Sequence, residues 1–96
     1  KRDYTTYGGR FLEKYFIEKL KLSNDYSDIG TYWERGNENE IDIVAINDNT
    51  KTMLISEVKR QAKRVDINKL REKATKLVSK HKKYTVNYLG YSLEDM

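Results

Sequence analysis

Two short apolar runs constrain this chain most, because each carries charge where a core strand carries none. They are Glu40-Ile41-Asp42-Ile43-Val44-Ala45-Ile46 and Leu54-Ile55-Ser56-Glu57-Val58-Lys59-Arg60. They read as adjacent buried strands. Strand side chains alternate faces, so Glu57 and Lys59 point the same way. Asp42 opens the first run, and Glu57 and Lys59 stand near the end of the second. Two acids and a lysine converging at the end of a buried sheet can bind a divalent metal and activate water. An exposed Glu57–Lys59 ion pair accounts for those two residues alone. It leaves Asp42 unexplained, since Asp is depleted in strands and charges are seldom buried unpaired.

The elements around these runs follow from periodicity and turn chemistry. After Gly8-Gly9, a helix is expected over Gly9–Leu22. Phe11, Leu12, Tyr15, Phe16, Ile17 and Leu20 form its apolar arc, and Arg10, Lys14, Glu18 and Lys21 lie opposite. Glu13 falls inside the apolar arc, either at its exposed border or as a site residue. Gly30–Arg35 reads as a first strand, Asn39–Ile46 as a second and Lys51–Arg60 as a third. Asn47-Asp48-Asn49-Thr50 is a hairpin turn of residues that tolerate left-handed backbone. Short spacing makes these strands an antiparallel meander. Asp66 reads as the N-cap of a second helix reaching Lys80, with Ile67, Leu70, Ala74, Leu77 and Val78 as its stripe. Tyr84–Tyr91 is a fourth strand. Because a helix leads to it, it should lie parallel to its neighbour. Ser92–Asp95 begins a helical turn.

Ninety-six residues make one domain, over 1–96. The chain opens on Lys1, so a fragment of a longer chain is expected. A net charge of +4 suits an anionic partner, most simply nucleic acid. With no cysteine, disulfides, zinc fingers and thiol catalysis are excluded. A reducing compartment is thereby permitted, and a cytoplasmic setting is expected. No stretch approaches the roughly 18 apolar residues of a membrane span. The eight tyrosines suit a core, an interface or a nucleic-acid surface. Trp33 reads more readily as core than as a base-stacking platform. His81 reads as a partner for a helix C-terminus, and Gln61 joins the Glu57–Lys59 face only if the strand continues. No phosphate-binding Gly-rich loop is present, so no ATP site is expected here.

The order αβββαβ, with Glu13 on the first helix, Asp42 opening the second strand and Glu57-x-Lys59 in the third, resembles the PD-(D/E)XK superfamily. That is the restriction-endonuclease-like fold, and the pattern looks closest to its Holliday-junction-resolvase-type members. The usual proline before the Asp is absent, and Ile41 stands there. A narrower resemblance covers nearly the whole chain. It is carried by Gly9-Arg10-Phe11-Leu12-Glu13, Tyr32-Trp33-Glu34-Arg35, Glu40-Ile41-Asp42-Ile43-Val44-Ala45, Glu57-Val58-Lys59-Arg60 and Tyr91-Ser92-Leu93-Glu94-Asp95-Met96. These motifs look like the domain found C-terminal to the ATPase module of many archaeal and bacterial AAA+ (P-loop) ATPases. The resemblance implies an α/β restriction-endonuclease-like core, a mixed four-stranded sheet flanked by helices. It also implies a covalently attached ATPase.

The implied chemistry is phosphodiester hydrolysis on DNA with magnesium or manganese. Asp42 and Glu57 would be metal ligands, and Glu13 would complete the shell directly or through water. Lys59 would position water or offset phosphate charge. Two packed acids repel unless a cation intervenes, which metal and lysine both supply. Arg60, Lys63, Lys69 and Lys73 are candidates to track a phosphate backbone, or else they form a solvated basic surface. Two alternatives stay open: an inactive DNA- or partner-binding module regulating the ATPase, and an assembly domain using a tyrosine-rich surface, with homo-oligomers possible.

Overall fold

The computed structural model describes residues 7–33 and 40–95, with side chains from residue 11 onward. Helix α1 spans Tyr7–Ser23. Strands β1 (Asp28–Trp33), β2 (Glu40–Asn47) and β3 (Thr52–Val58) come next. A 3-10 turn at Ala62–Arg64 leads to α2 (Ile67–Lys73) and α3 (Thr75–Ser79). Strand β4 (Thr85–Tyr91) and a 3-10 turn at Leu93–Asp95 close the chain. The sheet order is β1-β2-β3-β4. β1–β2 and β2–β3 are antiparallel, and β3–β4 is parallel. The expected mixed α/β order is therefore present, including the parallel fourth strand. Glu34, Arg35 and Asn39, expected at strand ends, lie outside the described residues.

Strand alternation gives the sheet two apolar faces, and each is covered. Ile43 and Val58 pack with Leu12 and Phe16 of α1. Met53, Ile55, Val44 and Ile41 pack with Leu70, Ala74 and Leu77 of the α2–α3 layer. The Phe16 ring stacks on Tyr91 at 4.4 Å between centroids, which ties α1 to β4. Burying such side chains is worth roughly 1.5–3 kcal/mol each. No described helix is long and apolar enough to cross a membrane.

Several local expectations change. Helix α1 starts at Tyr7 and not at Gly9, so Gly8 and Gly9 both lie in its first turn. First-turn amides have no intrahelical acceptor, so glycine disrupts less there than in mid-helix. Asn24, at φ 59°, ends α1 in the left-handed conformation that Asn tolerates. In the β2–β3 turn the left-handed residue is Lys51, at φ 57°, and none of the asparagines. Asn47 instead shapes the turn with its side chain, whose Oδ1 accepts from the amides of Asn49 (2.9 Å) and Thr50 (3.0 Å).

The single helix expected over Asp66–Lys80 is two. Its stripe and its N-cap are as read, with Asp66 accepting from the Lys69 amide at 3.1 Å. Ala74, at φ −90° and ψ 1°, separates the two segments. The Thr75 hydroxyl donates back to the Glu72 carbonyl at 2.9 Å. Such back-bonding bends helices. Trp33, read as core, is 65% exposed. Tyr32 is the residue packed against the Ile41 cluster. Alternation then turns Trp33 to the other face at the tip of an edge strand.

Candidate functional site

The site region begins with a flaw in the β1–β2 ladder. Gly30 pairs with Val44, but Tyr32 pairs with Ile41. Thr31 alone therefore faces two residues, Asp42 and Ile43. This is a β-bulge, which re-aims side chains and often lies next to active sites. The Thr31 hydroxyl steadies it by donating to the Asp42 carbonyl at 3.1 Å. The bulge also explains how Ile41 and Val44 can share one cluster.

On the other side, β2 and β3 pair from Asn47↔Thr52 to Ile43↔Ser56. Beyond that pair the half-buried Asp42 side chain continues the contact. Its Oδ2 accepts the Val58 N–H at 2.8 Å. Asp42 thus reaches β3 next to Glu57, at the same end of the sheet.

Glu57 alternates with Val58 and faces the α2–α3 layer. It is only 8% exposed. Its Oε2 lies 3.4 Å from the Lys59 Nζ, and its Oε1 accepts from the Asp66 amide, also at 3.4 Å. Lys59 is more open, with its side chain 42% exposed. Glu57 and Lys59 thus share a face, as strand alternation demands. Their pairing is real, but one partner is buried. Nearby, the Ser56 hydroxyl is buried with no hydrogen-bond partner.

Glu13 sits on α1, between Leu12 and Phe16 in sequence, in the layer opposite the face that Glu57 occupies. It is half-buried. Among the described residues, no group of three His, Asp or Glu side chains converges as a set of metal ligands.

The basic residues divide by position. Arg60 and Lys63 are exposed in the segment joining β3 to α2, at the Glu57 end. Lys69 is exposed in the first turn of α2. Lys73 is half-buried at the far end of that helix. Gln61 does not extend β3. The ladder goes one bond past Val58, from the Lys59 amide to the Tyr91 carbonyl at 2.9 Å. Gln61 then precedes the 3-10 turn and is exposed. His81 lies past α3 with Nδ1 2.9 Å from the Leu77 carbonyl, the helix-end role expected of it. Tyr15, Tyr26, Tyr32, Tyr84, Tyr88 and Tyr91 are all half-buried.

Sequence reasoning missed two participants. Asp66 was legible as a cap but not as the amide donor to Glu57. Gly90, the register partner of Glu57, carried no signal beyond being a glycine in a strand.

Comparison with known proteins gives the chain a family. A family described as archaeal and bacterial proteins of unknown function, DUF234, matches residues 1–76, and the chain belongs to it. The chain is similar to the uncharacterized protein MJECL04 of Methanocaldococcus jannaschii, with 40% identity over 78 residues. That match covers 73% of this chain but 17% of the relative, so the chain spans about a sixth of that protein. No solved structure matches.

Proposed function

We propose that this member of the archaeal and bacterial DUF234 family is a metal-dependent DNA nuclease domain, hydrolysing phosphodiester bonds. The observation that carries this is Glu57. Among the described residues, this carboxylate, 8% exposed, makes two contacts, both of 3.4 Å. So weakly compensated a buried charge favours an added cation. Asp42 supplies a second carboxylate on the adjacent strand, turned toward β3 by the bulge.

The donor set suits magnesium or manganese, hard ions that take oxygen ligands and often only one or two carboxylates. Asp42 and Glu57 would hold the ion with water completing the shell; Glu13, proposed from the sequence as a third ligand, stands on α1 in the layer opposite the Glu57 face and is left out of this set. When bound, the ion lowers the pKa of water and offsets charge on a phosphate. Lys59 orients the attacking water or neutralises the charge growing on the phosphate oxygens. Its side chain is open enough to meet a substrate while staying beside Glu57. Arg60 and Lys63 hold the DNA backbone next to this centre, and Lys69 extends the track along α2. The reading includes a covalently attached AAA+ ATPase and a cytoplasmic setting. The length of the M. jannaschii relative leaves room for such a module.

A second reading is a non-catalytic module that binds DNA or a partner and regulates the ATPase. It is favoured by the Glu57–Lys59 pair already present and by the lack of a third converging ligand among the described residues. Calorimetric titration with manganese, beside cleavage assays on branched and single-stranded DNA, separates the two. Metal uptake with cleavage supports the nuclease. No uptake at millimolar manganese and no cleavage, alone or joined to the ATPase, supports the regulatory module.

A further inference from the structure

We infer that the contact between Val65 and Gly90 sets the position of the Glu57 carboxylate, making both of them positioning residues for the proposed metal centre. This rests on the nuclease reading above.

Glu57 and Gly90 are direct partners across the parallel β3–β4 pair. A Cβ at position 90 would stand 2.2 Å from Val65 Cγ1 and 3.0 Å from its Cβ and Cγ2. The Val65 side chain thus occupies the space that any other residue at 90 would need. Glycine is required here for close approach, the use its missing Cβ allows.

This seat reaches Glu57 through the backbone on either side of Val65. Val65 closes the 3-10 turn, its amide donating to the Ala62 carbonyl at 3.0 Å. Its backbone is extended, at φ −75° and ψ 127°. The next amide, that of Asp66, donates to Glu57 Oε1. The Asp66 side chain meanwhile caps α2 through the Lys69 amide. The segment is therefore pinned twice, by Val65 against Gly90 and by Asp66 at the helix. How deeply Val65 sits decides how near the Asp66 N–H comes to Glu57. At 3.4 Å this bond lies beyond the usual N–H···O range, so little further displacement is needed to lose it. Fixing Oε1 leaves Oε2 aimed toward Lys59. Groups that hold a ligand's second atom tune metal affinity in this way. Lys63, a candidate for the phosphate track, rides on the same turn just before Val65.

The test uses isotopically labelled protein and reads hydrogen exchange at the Asp66 amide beside manganese affinity. In Gly90→Ala the Asp66 amide should exchange faster, and its resonance should move toward the position seen in Glu57→Gln. Manganese affinity should fall about tenfold, as for loss of an outer-sphere partner. Combining Gly90→Ala with Val65→Ala should restore both readouts, because only the 3.0 Å contact with Val65 Cβ then remains. If Gly90→Ala does not fold, Val65→Ala alone serves. It empties the seat without a clash and should speed Asp66 exchange. An Asp66 amide unchanged in whichever variant folds overturns the positioning role. A parent protein that takes up no manganese overturns the nuclease reading and the positioning role with it. The titration and the amide thus tell the two failures apart.

Discussion

Asp42 Oδ2 accepts the Val58 N–H at 2.8 Å, so a side chain on β2 takes the place of a main-chain carbonyl where β2 and β3 part. One carboxylate therefore has a structural duty as well as its proposed chemical one. The two can be separated. Asp42→Asn keeps a side-chain oxygen for Val58 while losing the charge. It should unfold at nearly the parent's denaturant concentration yet bind manganese more weakly. Asp42→Ala orphans the Val58 amide and should cost about 1–3 kcal/mol in denaturant unfolding.

Glu57 and Lys59 should diverge although they touch. Glu57→Gln removes a ligand charge, so metal uptake and cleavage should fall together. Lys59→Met removes a cation that competes for Glu57 Oε2 at 3.4 Å. Manganese affinity should then hold or rise in calorimetry, while cleavage is lost for want of charge support on the phosphate. Parallel losses of metal affinity in both variants would refute the division of roles.

The cations should rank by distance from Glu57. Replacing Arg60, Lys63, Lys69 and Lys73 together by Ala should weaken binding to duplex and branched DNA. Every phosphate neighbour removed should lower the salt slope by about one. Singly, Arg60 and Lys63 should matter more than Lys73, which is half-buried at the far end of α2. Fluorescence anisotropy across a salt series reads this out. Equal binding by the quadruple variant and the parent would remove the basic track from the mechanism.

At the opposite end of the sheet, Tyr84 donates to Asp48 Oδ1 at 2.6 Å. That hydrogen bond, then burial, then the Asp48 charge raise the Tyr84 pKa above its usual 10.0. The folded state thus favours the protonated phenol. Its contribution is fully present below the unfolded pKa and is lost as pH rises through the folded one. The stability gap between parent and Tyr84→Phe should be constant at neutral pH and shrink above about pH 10. Denaturant unfolding across alkaline pH measures it. A gap independent of pH would contradict the Asp48 assignment.

What could be read from the chain, and what could not, divides along a physical line. Features made by one segment were legible: the Asp66 cap, the turn after Ile46, the apolar stripe of α2–α3. The parallel β4 followed from connection rules. Features made by two distant segments were not. Nothing local says that Val65 will lie against Gly90, or that Asp42 will serve Val58. The break at Ala74 was local but hidden. Ala is the best helix former, and the back-bonding hydroxyl beside the break belongs to its neighbour Thr75. Trp33 misled because size suggests burial, whereas exposure depends on which strand forms the sheet's border.

The parallel pairing of β3 with β4 also has a history in time. The meander β1–β2–β3 can close through short hairpins as soon as it is made. β4 joins only after the α2–α3 crossover has been laid down, with Thr52 finding Thr85 and Val58 finding Tyr91. Closing so long a loop costs chain entropy before any contact rewards it. In any state in which β4 is undocked, β3, apolar from Met53 to Ile55, presents an open border to another chain. Glu57 is the charge on that border. Before it has Gly90 beside it, it is the strand's own guard against the wrong neighbour.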